Sequence, residues 1–157
     1  MKSKTPKESV SVMSQLVMPP ITNYYNNLMG GDLLRMMDVV ASIVAKRHSE
    51  QGVVTVSVDG VSFKNPVPLG SILTIEGKIT RAFRTSMEIK LEVLVEMDNH
   101  TKPIKTNEAY YSFVAVNEDM QPIEVIPVIP ETDKEKYEYE KALERRNMRL
   151  SLLKSKK

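Results

Sequence analysis

The hydrophobic positions change period twice along the chain. From Ser9 to Val17 a short apolar run, Val10, Val12, Leu16 and Val17, is stopped by Pro19-Pro20, which can neither donate to a ladder nor extend a helix. A strand followed by an irregular loop is predicted. The loop Ile21 to Met29, rich in Asn and Tyr, ends at Gly30-Gly31, where a backbone without Cβ atoms can enter a helix packed closely against a neighbour. From Gly31 to about His48 the spacing becomes helical: Leu33, Leu34, Met37, Val40, Ala41, Val44 and Ala45 share one stripe, widened by Met36, Ile43 and Arg47. That arc exceeds half the circumference and predicts a largely enclosed central helix.

After Gln51-Gly52 the period drops to two. Val54, Val56 and Val58 face one way and Thr55, Ser57 and Asp59 the other, as in a half-buried strand. Phe63 to Gly70, with two prolines, reads as a loop; Ser71 to Phe83 resumes alternation, and Met87 to Met97 alternates strictly with Glu88, Lys90, Glu92 and Glu96, one face core and the other wet. Asp98 to Pro103 is predicted as a turn, Thr106 to Val116 as a strand carrying Tyr110, Tyr111 and Phe113, and the proline-interrupted stretch Gln121 to Pro130 as an extended edge or crossing segment. Thr132-Asp133-Lys134-Glu135 is a capping-box pattern opening a charged terminal helix. Its apolar positions, Tyr139, Leu143, Leu150 and Leu153, are sparse, so a solvated, partly fraying helix is expected. The order of elements implies one helix wrapped by a curved antiparallel sheet, and because one helix cannot cover a long sheet, pairing of two such units is expected.

Composition narrows the chemistry. At 157 residues with 41% hydrophobic and 27% charged residues, the chain fits one soluble globular domain. The net charge of +2 is too small for a protein that neutralises a polyphosphate backbone, so nucleic acid is not expected as a partner. The absence of cysteine excludes disulfides, thiolate metal sites and cysteine nucleophiles. Of the two histidines, His48 is expected to face the carbonyl end of the helix and His100 to lie in a turn, without a metal site. No apolar run approaches a membrane span, and no apolar segment follows Lys2, Lys4 and Lys7, so a cytoplasmic location is expected.

Several segments, taken in order, resemble the hotdog-fold acyl-CoA thioesterases, specifically the cytosolic acyl-CoA hydrolase branch. They are Pro19-Pro20, Asn23, the run Met29 to Asp38, Ala41, Val56 to Asp59, Phe63 with Pro66-Val67 and Gly70, Arg84 to Glu88, Thr106 to Tyr110 and Phe113 to Val116. Asn26 departs from the pattern, standing where the family usually carries glycine. The resemblance implies an α+β hotdog domain over residues 1–130, with the charged helix of 131–157 outside it. It implies hydrolysis of fatty acyl-CoA to free acid and CoA without metal or redox cofactor, by dimers that can assemble as trimers of dimers.

Within that resemblance Asp38 is the implied general base or nucleophile, Asn23 orients water or thioester, and Gly31 donates its amide to the oxyanion. From spacing alone, Asp38 reads first as a rim aspartate bridged to Arg35, an order that the resemblance reverses, while Asn23 reads equally as a turn residue and Gly30-Gly31 as a tight helix entry. Asp38 lies ~10 Å along the helix axis from Gly31, so a dimer interface is expected to bring one chain's Asp38 to the other's Asn23 and Gly31. Gly30, Lys64, Arg81, Arg84, Thr85 and Ser86 are the candidates for holding CoA, the arginines reading otherwise as solvated hairpin charges. Met29, Met36 and Met37 are candidate walls of an acyl channel. A dehydratase is disfavoured because no histidine falls near the helix start, and the rival function is an acyl-CoA-binding sensor or carrier without turnover.

Overall fold

The computed structural model describes residues 2–98 and 102–156. His100 and most of the turn expected between Asp98 and Pro103 lie outside the described residues. Five strands, β1 (Ser11–Leu16), β2 (Gly52–Asp59), β3 (Ile72–Ala82), β4 (Ser86–Glu96) and β5 (Ile104–Val116), form one antiparallel sheet in the order β1-β3-β4-β5-β2. The sheet curls around α1 (Gly30–Ser49), and α2 (Asp133–Lys154) crosses its outer face. The α+β arrangement of one helix wrapped by a curved sheet is therefore observed.

The core forms where the helical stripe meets the inner face of the sheet. Met37, Val40, Ala41, Val44 and Ala45 are fully buried against Ile75, Ile89, Leu91, Val93 and Ala109. Gly77 of β3 is where the two layers approach most closely, for a Cβ there would lie 3.0 Å from Val40, Val44 and Leu91 side-chain atoms. Gly77→Val puts a branched side chain into that contact and is expected to cost about 1–3 kcal/mol or more by overpacking. Urea denaturation checks this: an unchanged midpoint would show that the layers can separate freely.

The helix is less enclosed than its apolar arc predicts. Val39 and Ile43 stay open on one side, and beside them Val56 and Val58 project from β2 with relative exposures of 55% and 42%. The predicted alternation of β2 also breaks, since a bulge between Thr55 and Ser57 shifts the register against β5 and leaves Val56 outside the regular pairing. The valines predicted as a buried face thus belong to an exposed apolar surface along the free edge of the sheet.

The outer face of the sheet departs further from expectation. Glu88 is fully buried and Lys90 nearly so, because α2 covers them. Thr132 caps α2 through the Glu135 amide while Glu135 accepts from the Thr132 amide, as the capping box predicts. Only Ala142 of α2 is buried, yet the helix is not simply solvated. Charges and aromatic rings hold it: Lys78 pairs with Glu135, Lys90 with Glu138, and Arg145 grips Glu88 through two hydrogen bonds of 2.8 and 3.0 Å while lying 3.7 Å over the Tyr110 ring. Arg149 meets Asp59 at 2.6 Å. The Lys78 ammonium and two backbone amides hold Glu135 near pKa 2 against the opposing effect of burial.

The segment from Gln121 to Pro130, predicted as an extended edge or a crossing segment, runs past the carbonyl end of α1. Lys4 donates to the Arg47 and His48 carbonyls there, and its backbone brackets Val128 in a parallel bridge. His48 is fully buried, not merely adjacent to the helix end: Nε2 lies 2.7 Å from the Ile126 carbonyl, and Nδ1 has no partner among the described residues. Burial lowers its pKa below 6.5. The unfolded chain therefore binds a proton that the folded one refuses, and stability falls as pH drops below about 6.5. Melting curves between pH 7.5 and 5 are expected to show this loss, reduced in His48→Gln; equal pH dependence in both proteins would contradict it.

Candidate active site

The loop before α1 is a small hairpin built on Asn23. The Asn23 side-chain oxygen accepts from the Tyr25 and Asn27 amides at 3.0 and 3.2 Å, and its backbone amide donates to the Asn27 carbonyl at 2.8 Å. Asn23 is thus a turn residue, as its position after the prolines suggests, and its side-chain amide nitrogen remains available to a ligand. Asn26 adopts φ 55°, a left-handed conformation that asparagine tolerates and glycine supplies freely. The departure from the family pattern is absorbed without loss of the turn, and the Asn26 carbonyl accepts from Leu69.

α1 begins without a side-chain cap at Met29. Its first amides, at Gly30, Gly31 and Asp32, have no acceptors within the helix, and they point out of its positive end. Gly31 faces open space, with nothing within 4 Å of a Cβ built on it. Gly30 is crowded by comparison, since the Phe63 ring would stand 3.2 Å from a Cβ there. A cavity of about 420 Å³ opens at this helix start, lined by Asn23, Asn27, Gly30, Phe63, Lys64 and Asn107 among others. The Asn107 side chain donates to the Ser62 carbonyl and fixes the far wall.

Two turns further along α1, Asp38 is half-buried, and the Thr55 hydroxyl donates to its Oδ1 at 2.7 Å. No other donor among the described residues reaches this carboxylate. The spacing-based bridge to Arg35 is not formed: Arg35 approaches Asp32 instead, at 3.9 Å. Asp38 borders an open, largely apolar depression of about 490 Å³ with Leu34, Arg35, Val58, Val61, Phe63 and Tyr111. The Tyr111 hydroxyl donates to the Leu34 carbonyl, and burial, with the Asp38 charge adding to it, pushes the phenol up to about 12. Tyr111 therefore stays protonated. Thr55 and Phe63 are the residues that sequence reasoning missed as parts of the site; the bulge that turns Thr55 toward α1 has no signature in the alternation of β2.

The expected CoA-binding residues separate. Gly30 and Lys64 line the cavity with Asn23. Ser86 pairs with Val114, seven residues along β5 from Asn107, which at strand rise is ~23 Å away. Arg84, Thr85 and Ser86 therefore sit at the opposite end of the sheet within one chain. The Arg84 and Thr85 carbonyls there accept from Val125 and Ala115. Arg81 is turned under α2, its guanidinium 4.0 Å over the Tyr139 ring and bonded to the Tyr139 carbonyl at 3.0 Å. Among the described residues no cluster of histidine, aspartate and glutamate has the geometry of a metal site.

Comparison with known proteins places this geometry in a family. The thioesterase superfamily profile matches residues 25–100. Protein VdlD of Helicobacter pylori is 42% identical over 139 residues, covering 88% of this chain and 79% of VdlD. The cytosolic acyl coenzyme A thioester hydrolase of Rattus norvegicus is 36% identical over 84% of this chain, which spans only 35% of that longer protein. Among solved structures, an acyl-CoA hydrolase from Bacillus cereus superposes with a TM-score of 0.92 at 35% identity, covering 99% of this chain and 95% of its own. The acyl-CoA hydrolase of Staphylococcus aureus, solved with butyryl coenzyme A and coenzyme A, gives 0.89 at 32% identity over 99% and 96% of the two chains. A hexameric acyl-CoA thioesterase gives 0.91 at 33% identity over 97% and 98%. At these identities and over nearly the whole chain, the chain belongs to the thioesterase superfamily, as a hotdog-fold enzyme of its acyl-CoA hydrolase branch.

Proposed function

We propose that two copies of the chain hydrolyse a fatty acyl-CoA to the free acid and CoA, with Asp38 of one copy facing Asn23 and Gly31 of the other. The observation that carries this reading is the setting of Asp38: one oxygen is held by Thr55, no cation among the described residues pairs with it, and an apolar depression opens in front of it. A rim aspartate would be paired; this one is positioned by Thr55 and faces the depression.

In the reaction Asp38 takes a proton from water as the water oxygen bonds to the thioester carbonyl carbon. The carbonyl oxygen gains charge and is met by the Gly31 amide at the positive end of the facing α1. Collapse breaks the C–S bond, the electron pair leaves on sulfur, and the proton held by Asp38 passes to the thiolate. With a thiol pKa near ~8.5 the sulfur departs readily, so the chemistry needs neither metal nor redox cofactor. Asn23 orients the water or carbonyl through its free amide nitrogen.

Two further observations support the reading. The Staphylococcus aureus hydrolase has been solved as Asn-to-Ala, Asp-to-Ala and Thr-to-Ala variants whose positions are separated by 15 and 17 residues, the same intervals that separate Asn23, Asp38 and Thr55. The exposed apolar strip of Val39, Ile43, Val56 and Val58 beside the free edge of β2 is a surface on which a second copy can pair, and neighbours of this fold include hexamers. In this assembly Lys64 meets the nucleotide end of CoA at the cavity mouth, while Arg84, Thr85 and Ser86 reach it only from another subunit. The test is thiol release from acyl-CoAs of graded chain length. Release that depends on Asp38 and Asn23 is expected; binding of CoA esters without release would identify a carrier instead.

A further inference from the structure

We propose that the Phe63 ring sets the length of acyl chain that the enzyme accepts. Among the described residues, Phe63 is the one side chain that lines both the cavity at Asn23 and Gly30 and the depression in front of Asp38. It stands on the irregular segment between β2 and β3, and both flanks of that segment are pinned. On one side the Ser62 carbonyl accepts from the Asn107 side chain; on the other, buried Val67 accepts from the Leu28 amide at 2.8 Å. The ring itself rests against the start of α1, 3.2 Å from where a Cβ on Gly30 would stand. Its backbone is therefore fixed while the ring remains 54% exposed, an apolar surface left half in water at the meeting of two cavities.

This inference rests on the hydrolytic reading of the Asp38 site. An acyl chain whose carbonyl lies at Asp38 runs along the apolar wall of the depression toward the ring. As far as Phe63, each further methylene removed from water strengthens binding by roughly fourfold. Beyond it the ring closes the path, for the cavity behind it, at Asn23 and Gly30, is the one that receives the thioester and CoA of the other site in the paired chains. Removing the ring adds the room it fills to the path; enlarging it shortens the path.

The experiment measures kcat/KM with acyl-CoAs from two to sixteen carbons for the unaltered protein and for Phe63→Trp, Phe63→Leu and Phe63→Ala, with Asp38→Ala as the reference for Asp38-dependent release. The length at which kcat/KM stops rising is expected to increase in the order Trp, Phe, Leu, Ala. The palmitoyl-to-hexanoyl ratio is expected to rise at least ~10-fold in Phe63→Ala. Phe63→Leu keeps an apolar contact on Gly30, so the series does not depend on one variant folding. An unchanged plateau and ratio, with hexanoyl-CoA still hydrolysed, would overturn this proposal and leave the hydrolytic reading intact. Absence of Asp38-dependent release at every chain length would overturn both.

Discussion

Asp38→Ala is expected to lower kcat for thioester hydrolysis by ~10² or more while leaving the affinity for CoA within a few-fold, because in the proposed mechanism it removes a base and not a binding contact. Asp38→Asn is expected to fall as far, since an amide can still accept from Thr55 but cannot take a proton. The helix itself loses little: Asp38 is only half-buried, and its one side-chain bond, to the Thr55 hydroxyl, is near the surface. Melting temperatures close to that of the unaltered protein would separate loss of chemistry from loss of fold. A variant that keeps full turnover would place the base elsewhere.

The largest expected effect on stability lies on the opposite face. Arg145→Ala leaves the Glu88 carboxylate fully buried, with the Thr80 hydroxyl at 2.7 Å and the more distant Arg149 guanidinium at 3.8 Å as its remaining side-chain partners. Breaking a buried pair in this way costs about 3–5 kcal/mol, for the charge left behind has lost its two-bond partner but not its burial, and Arg149 at 3.8 Å holds the loss toward the lower end. For a chain of this size that corresponds to a fall in Tm of about 10 °C. The double variant Glu88→Met with Arg145→Met removes both charges and is expected to recover most of the loss, as buried ion pairs replaced by apolar residues of similar volume often do. Differential scanning calorimetry of the single and double variants distinguishes the cases. A harmless Arg145→Ala would mean that α2 is held chiefly by its stacked rings.

The same contacts explain what the sequence conceals. Strict alternation in β4 correctly identifies Met87, Ile89, Leu91, Val93 and Val95 as core, because the inner face has only one way to be apolar. It misassigns Glu88 and Lys90 to water, since a polar face reads the same whether solvent or a charged helix covers it. α2 docks through Arg145, Arg149 and Glu138, with Tyr110 and Tyr139 as stacking surfaces, and such residues look like a solvated helix in any hydropathy pattern. The long period of α1 is plain from spacing alone, but the exposed side at Val39 and Ile43 is not, because a surface open in one chain is as apolar as the core.

In the site, glycine and proline punctuation reveals the loop and the helix start, and the family resemblance singles out Asp38. The partner of Asp38 was not legible. Spacing offers Arg35, one turn away, whereas the structure gives Arg35 to Asp32 and brings Thr55 from a strand seventeen residues on. That contact depends on a bulge in β2, and bulges leave little trace in a single sequence. Arg81 shows the converse failure: it lies near the right motif in sequence, yet it stacks under α2 at the far side of the sheet.

The division of the site between two chains is the claim on which the rest depends, and subunit complementation tests it most directly. Asp38→Ala and Asn23→Ala are each expected to be nearly inactive alone. If Asp38 of one copy works with Asn23 of the other, every mixed dimer of the two variants carries one intact site and one doubly altered site. Co-expression in equal amounts then restores about a quarter of the unaltered activity, since about half the dimers are mixed and each holds one working site of two. Activity that stays at the level of the single variants, in preparations shown to contain mixed dimers, would place both residues in one chain's site and contradict the account.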